Sequence, residues 1–175
     1  MGRVRRGATG YHMTGKFGRA AGVAAMIAFA CGQAQAARNE CWTAQEVSAA
    51  KVRDLQTMLM VAGLRCRSGG VDVLSGYNRF VAANRAVLVE VNDRLKLHFR
   101  TLHGPAEGQR NYDRFTTALA NAYGAGGSGT GNCEHMASLA AEASSARGSA
   151  ALIAIAEDRG LSPELPTCSI RMAAR

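Results

Sequence analysis

Cys41 and Cys66 bracket a stretch whose apolar residues recur at helical spacing, and this excludes them as a bonded pair. Val47, Leu55, Met58, Leu59 and Ala62 form the stripe. An unbroken helix rises about 1.5 Å per residue, which holds the two cysteines roughly 30 Å apart. Disulfide Cα atoms lie within about 7 Å of each other. Each cysteine therefore needs a distant partner, and Cys133 and Cys168 are the two that follow. In an up-down bundle the first helix ends, and the fourth begins, at the same end. That topology favours Cys66–Cys133 and leaves Cys168, in a tail with Pro163 and Pro166, to reach back to Cys41.

The remaining elements are read from the same periodicity. Thr43 with Glu46 three residues on is a capping box that opens the first helix, Trp42 stands where a hydrophobic staple residue would stand, and Gly63 is placed to end the helix. A loop from Arg67 to Gly76 follows, within which Val71–Leu74 is the one short strand candidate. A regular stripe from Tyr77 through Phe80, Asn84, Leu88, Val91, Leu95 and Phe99 to Leu102 predicts a second helix, stopped near Gly104-Pro105 because proline disfavours helix in the residue before it. A third is expected from about Gln109 to Tyr123, a fourth from about Asn132 to Arg147 and a fifth from about Ala150 to Arg159. The pattern predicts an all-α, single-domain bundle of about five helices stapled by two disulfides.

The first 36 residues are of another kind. They carry Arg3, Arg5, Arg6, Lys16 and Arg19 with no acidic residue, then the apolar run AAGVAAMIAFA and an Ala34-Gln35-Ala36 site. This reads as a secretory signal cleaved before Ala37, with Met1 or Met13 as the start. The run is too short to span a bilayer. Rival readings are a twin-arginine signal at Arg5-Arg6 and a lipidated Cys31. Residues 37–175 then form the mature domain, with no transmembrane segment and a periplasmic or secreted destination. Removing five of the 21 basic residues and none of the 13 acidic ones lowers the net charge from +8 to +3, which leaves no electrostatic case for nucleic acid. An even count of four mature cysteines in an exported chain argues for two bridges.

Several constellations bear on chemistry. Gly124, Gly126 and Gly129 spell G-x-G-x-x-G, but a dinucleotide loop follows a buried strand, and here it follows a helical pattern; no cofactor is predicted. Cys133, Glu134 and His135 place a thiol, a carboxylate and an imidazole side by side at a helix start. A thiol there is activated, yet the cysteine count gives Cys133 a partner. His98, His103 and His135 are too few and too ill-spaced for a metal site and read as surface or helix-end histidines. Glu90 and Asp93 are a carboxylate pair, but Arg85 and Arg94 beside them make a solvated ion-paired face. Asn84 lies in an apolar stripe and needs hydrogen-bond partners, a loop carbonyl near Cys66 or a small pocket, with Tyr77 and Arg79 as further members of a pocket or network.

The block CWTAQEVSAAKVRDLQTMLMVAGLRC, with SGYNRFVAANRAVL and YDRFTTALANAYG, resembles a group of small exported bacterial proteins with four cysteines, some of which carry the label S-adenosyl-L-homocysteine hydrolase. The enzyme class of that label resembles a large cytoplasmic NAD-bound α/β protein, for which this chain lacks length and strands. The resemblance implies no catalytic residues. The expectation is a non-catalytic binding or structural module of the cell envelope, with an unidentified protein or envelope component as partner; the alternative is a small secreted hydrolase.

Overall fold

The structure is a computed structural model that describes residues 41–125 and 133–168. The predicted signal segment with Cys31, the glycines from Gly126 to Gly131 and the predicted N-cap Asn132 lie outside the described residues. Among the described residues there are six α-helices and no β-strand: α1 (Ala44–Arg65), α2 (Val73–Ala83), α3 (Arg85–His103), α4 (Pro105–Gly124), α5 (Cys133–Ser145) and α6 (Gly148–Asp158). None is long and apolar enough to cross a membrane.

α1 is the axis of the bundle and touches each of the other five helices. Its buried residues include Ala49, Val52, Leu55, Met58, Leu59 and Ala62, but also Ala50, Asp54, Thr57 and Val61, so it is enclosed nearly all round. A helix surrounded by others is buried beyond a single stripe. The capping box forms: Glu46 N–H donates to Thr43 Oγ1 (3.3 Å), and Thr43 N–H donates to Glu46 Oε2 (2.7 Å). Gly63 does not end the helix. The chain runs on to Arg65 and tightens into a 3-10 turn, Cys66–Gly69, with Gly63 buried where its flank meets Leu74 of α2.

Val71–Leu74 is not a strand. Asp72 accepts a hydrogen bond from Ser75 N–H (3.0 Å) and caps α2 at Val73. The predicted long second helix is broken at Asn84, which accounts for six helices in place of about five. Asn84 takes φ −113° and ψ 20°, and its side-chain Nδ2 donates to Phe80 O (3.3 Å) and to Ala143 O on α5 (3.0 Å). Ala143 is among the last residues of α5, where helix carbonyls have no partner within their own helix. The kink thus lets one side chain serve two helices.

α3 and α4 form a hairpin through Gly104, whose φ of 79° suits glycine, and Pro105 takes the first position of α4, where its missing N–H costs nothing. The two helices cross closely. A Cβ on Gly108 would lie 2.6 Å from Arg100 Cα. α2 packs on α5, and α6 packs on α1, where Lys51 and Glu157 pair at 2.8 Å.

Both cysteine pairs are bonded: Cys41 with Cys168 (Cα–Cα 4.8 Å) and Cys66 with Cys133 (5.6 Å). The first joins the segment before α1 to the tail. Trp42 N–H donates to Pro166 O (2.7 Å), and Cys168 N–H donates to Trp42 O (3.0 Å).

Candidate functional site

The start of α1 faces α3, and polar side chains gather there. Trp42, 5 % exposed, stacks on His98 with ring centroids 4.0 Å apart and packs against Phe99 and Phe115. His98 is 6 % exposed. This corrects the reading of it as a surface or helix-end residue: the face of α3 that carries it is the one covered by Trp42. Its Nδ1 lies 3.0 Å from Glu46 Oε1, while Glu46 Oε2 accepts from the Thr43 amide and from the Thr43 hydroxyl (2.8 Å). Burial pulls the Glu46 carboxyl upward, but the hydrogen bonds from Thr43 and His98 outweigh it and hold the group below the ordinary carboxylate value.

Two cavities open along this face and share Gln45 and Arg94. One, of about 270 Å³, lies between α1, α3 and α6 and is lined by Val52, Val87, Val91 and Ile153 with Ser48, Ser149 and Glu90. The other, of about 400 Å³, is lined by Thr43, Glu46, His98, Thr101 and Leu102 and the Cys41–Cys168 bridge. Arg94 stands between them, with Nη1 donating to Gln45 Oε1 (2.8 Å) and Nη2 donating to Glu90 Oε1 (3.1 Å). A histidine oriented by a carboxylate is half of an acid–base arrangement. The Thr43 hydroxyl, however, is directed to Glu46.

A buried carboxylate, which the helical pattern does not mark, lies further along α1. Asp54, on α1, is 6 % exposed and accepts a hydrogen bond from the Tyr123 hydroxyl at 2.6 Å. Burial pushes its carboxyl above the ordinary value, and the Tyr123 bond offsets this only in part. The same burial and the Asp54 carboxylate push the Tyr123 phenol upward. Arg65 Nη1 donates to Tyr123 O (2.8 Å), so the end of α4 is held to α1 at two points. A cavity of about 290 Å³ beside this pair is lined also by Leu119, Arg159 and Ser162.

The residues singled out in the sequence occupy different settings. Asn84, 3 % exposed, bonds to Phe80 and Ala143 and not to the loop near Cys66. Tyr77 is half-buried against Phe80 (6.3 Å), and Arg79 is exposed. Glu90 pairs with Arg94 on an exposed face. His103 is exposed, as are Glu134 and His135; His135 Nε2 lies 2.9 Å from Arg159 Nη1, and Arg159 also pairs with Glu142. Cys133 is bonded to Cys66 and offers no thiolate. Among the described residues no group of three His, Cys, Asp or Glu is arranged to hold a metal ion. The His98–Glu46 contact had one usable signal: His98 falls one residue before Phe99 on the α3 stripe, and Glu46 was already assigned to the cap. Compared with known proteins, the chain matches no family model, no curated protein and no solved structure.

Proposed function

We propose that the chain is an exported cell-envelope protein, released from its first 36 residues before Ala37, that acts as a non-catalytic binding or structural module. The observation that carries this reading is that buried or half-buried polar groups are committed to contacts between helices. Asp54 joins α1 to α4, Asn84 joins α2 to α5, and Glu46 joins the α1 cap to His98 on α3. Cys133, the one thiol at a helix N-terminus with a claim to reactivity, is engaged in a bridge. Reactive groups are thereby committed to holding helices together, while the clefts at Arg94 remain for a ligand or partner. Crosslinking in the intact envelope, followed by purification of the chain, tests the reading. The expected result is a stoichiometric adduct lost on Arg94→Glu; turnover of an ester, amide or thioether substrate without any adduct contradicts it.

A small secreted hydrolase, the S-adenosyl-L-homocysteine hydrolase label included, is the second reading. The observation in its favour is that His98 and Glu46 line the larger cavity. It requires that His98→Gln abolish a measurable turnover while leaving the fold intact.

A further inference from the structure

The cavity between α1, α3 and the first turns of α6 has the make-up of a small-molecule site: an apolar wall with a few convergent polar groups. Val52 comes from α1, Val87 and Val91 from α3 and Ile153 from α6, and Ala49 adds to the same wall. The polar residues are Gln45, Ser48, Ser149, Glu90 and Arg94, of which Glu90 and Arg94 alone are charged. Glu90 is two-thirds exposed, at 66 %, whereas Arg94 is 37 % exposed and lines both cavities. A guanidinium is a planar fork that matches a carboxylate with two parallel hydrogen bonds, and Gln45 adds an amide with N–H donors beside it.

We propose that this cavity binds a small amphipathic monocarboxylate, its apolar chain between Val52, Val87, Val91 and Ile153 and its carboxylate on Arg94 and Gln45. The proposal rests on the binding-module reading and specifies its ligand. Arg94 already has a carboxylate in Glu90, four residues before it on the same helix. Such exposed i, i+4 pairs are among the weakest a protein makes, so the ligand replaces a solvated partner with one whose chain is simultaneously removed from water. Glu90 is then a competitor for Arg94, and the occupied site is one in which Glu90 has turned to solvent. The sign of the charge follows from exposure: Glu90 and Arg94 both line the cavity, and Arg94, the less exposed of the two, is the charge that a ligand leaving water meets with the less competition from solvent, whereas an amine would pair with the more exposed Glu90.

The test is calorimetric titration of the exported protein, bridges intact, with butanoate, hexanoate and octanoate, and with octanol and octylamine as controls. Saturable binding of octanoate is expected, tightening about fourfold per methylene along the series until the wall is covered. Arg94→Met should erase the preference for octanoate over octanol. Glu90→Gln should tighten octanoate by about threefold, a change opposite in sign to any loss of folding and therefore informative should Arg94→Met fold poorly. Equal binding of octanol or octylamine, an unchanged affinity in Glu90→Gln, or no saturable binding of any acid overturns the proposal. If the acids fail while the envelope adduct persists, the ligand class is wrong and the binding-module reading stands.

Discussion

Asp54 and Glu46 are two carboxylates on one helix that respond to pH in opposite senses. Asp54 is buried with only a neutral phenol as donor, so its carboxyl holds its proton above the usual value of 3.8. The native state then binds that proton more readily than the unfolded chain, and its contribution to stability falls as pH rises from 3.8 through the native value. Glu46 is held below its usual value of 4.5, and its contribution is lost as pH falls. Asp54→Asn keeps an acceptor for Tyr123 and removes the charge. The difference between this variant and wild type in denaturant titrations, read by the single Trp42, should therefore grow in the variant's favour as pH rises above 3.8. A difference independent of pH would contradict the account. Glu46→Ala leaves Thr43 accepting from the backbone N–H of position 46 but removes the return bond to the Thr43 amide, about 1 kcal/mol, and strips the buried His98 of its carboxylate partner, about 1–3 kcal/mol more; a combined loss of about 2–4 kcal/mol is expected in the same titration. Asp54 was hidden in the sequence because a charged residue within a polar-to-apolar helix pattern looks solvated until a second layer of helices covers it.

At the level of elements, periodicity predicts about five helices where there are six, because one continuous stripe covers α2 and α3, and at Asn84 and Gly63 packing overrides the local rule. The stripe from Tyr77 to Leu102 is continuous in sequence because α2 and α3 both turn apolar faces inward; what separates them is a contact with α5, fifty-nine residues away. Nothing local announces that contact. Asn84→Ala leaves Ala143 O without its side-chain donor and should cost about 1–3 kcal/mol, with amide exchange at the end of α5 accelerated more than that of α4. A glycine at position 63 suits a helix stop by sequence rule; Gly63 is instead a close-packing position against Leu74. Gly108 plays the same part between α3 and α4, where the atoms a methyl would meet are backbone: Arg100 Cα and N and Phe99 O. Backbone cannot swing aside, so Gly108→Ala should destabilise by about 2–3 kcal/mol despite the better helix propensity of alanine. A neutral or stabilising result would mean that the hairpin is looser than described.

Over the whole molecule, the two bridges close loops with sequence separations of 127 and 67 residues. The chain-entropy account assigns each about 4–5 kcal/mol, an upper figure that strain reduces, against a net stability for such domains of about 5–15 kcal/mol. Reducing both should bring the protein to the edge of folding at ordinary temperature, and the pair at Cys41, which anchors Trp42 over His98, should report first through tryptophan fluorescence. The bridges were legible because a long helix cannot bring its own ends together. The clefts were not, since Gln45, Arg94 and Ile153 come from three helices and share no spacing in the chain. The proposed molecule is exported, with its four mature cysteines and buried polar groups serving structure and its clefts left for binding. Intact-mass measurement of the protein recovered from the envelope, exposed to iodoacetamide without reduction, tests this most directly. It should show a chain beginning at Ala37, four hydrogens lighter than its reduced form and carrying no alkyl adduct. An adduct on Cys133, or a chain that keeps its first 36 residues in the cytoplasm, would contradict it.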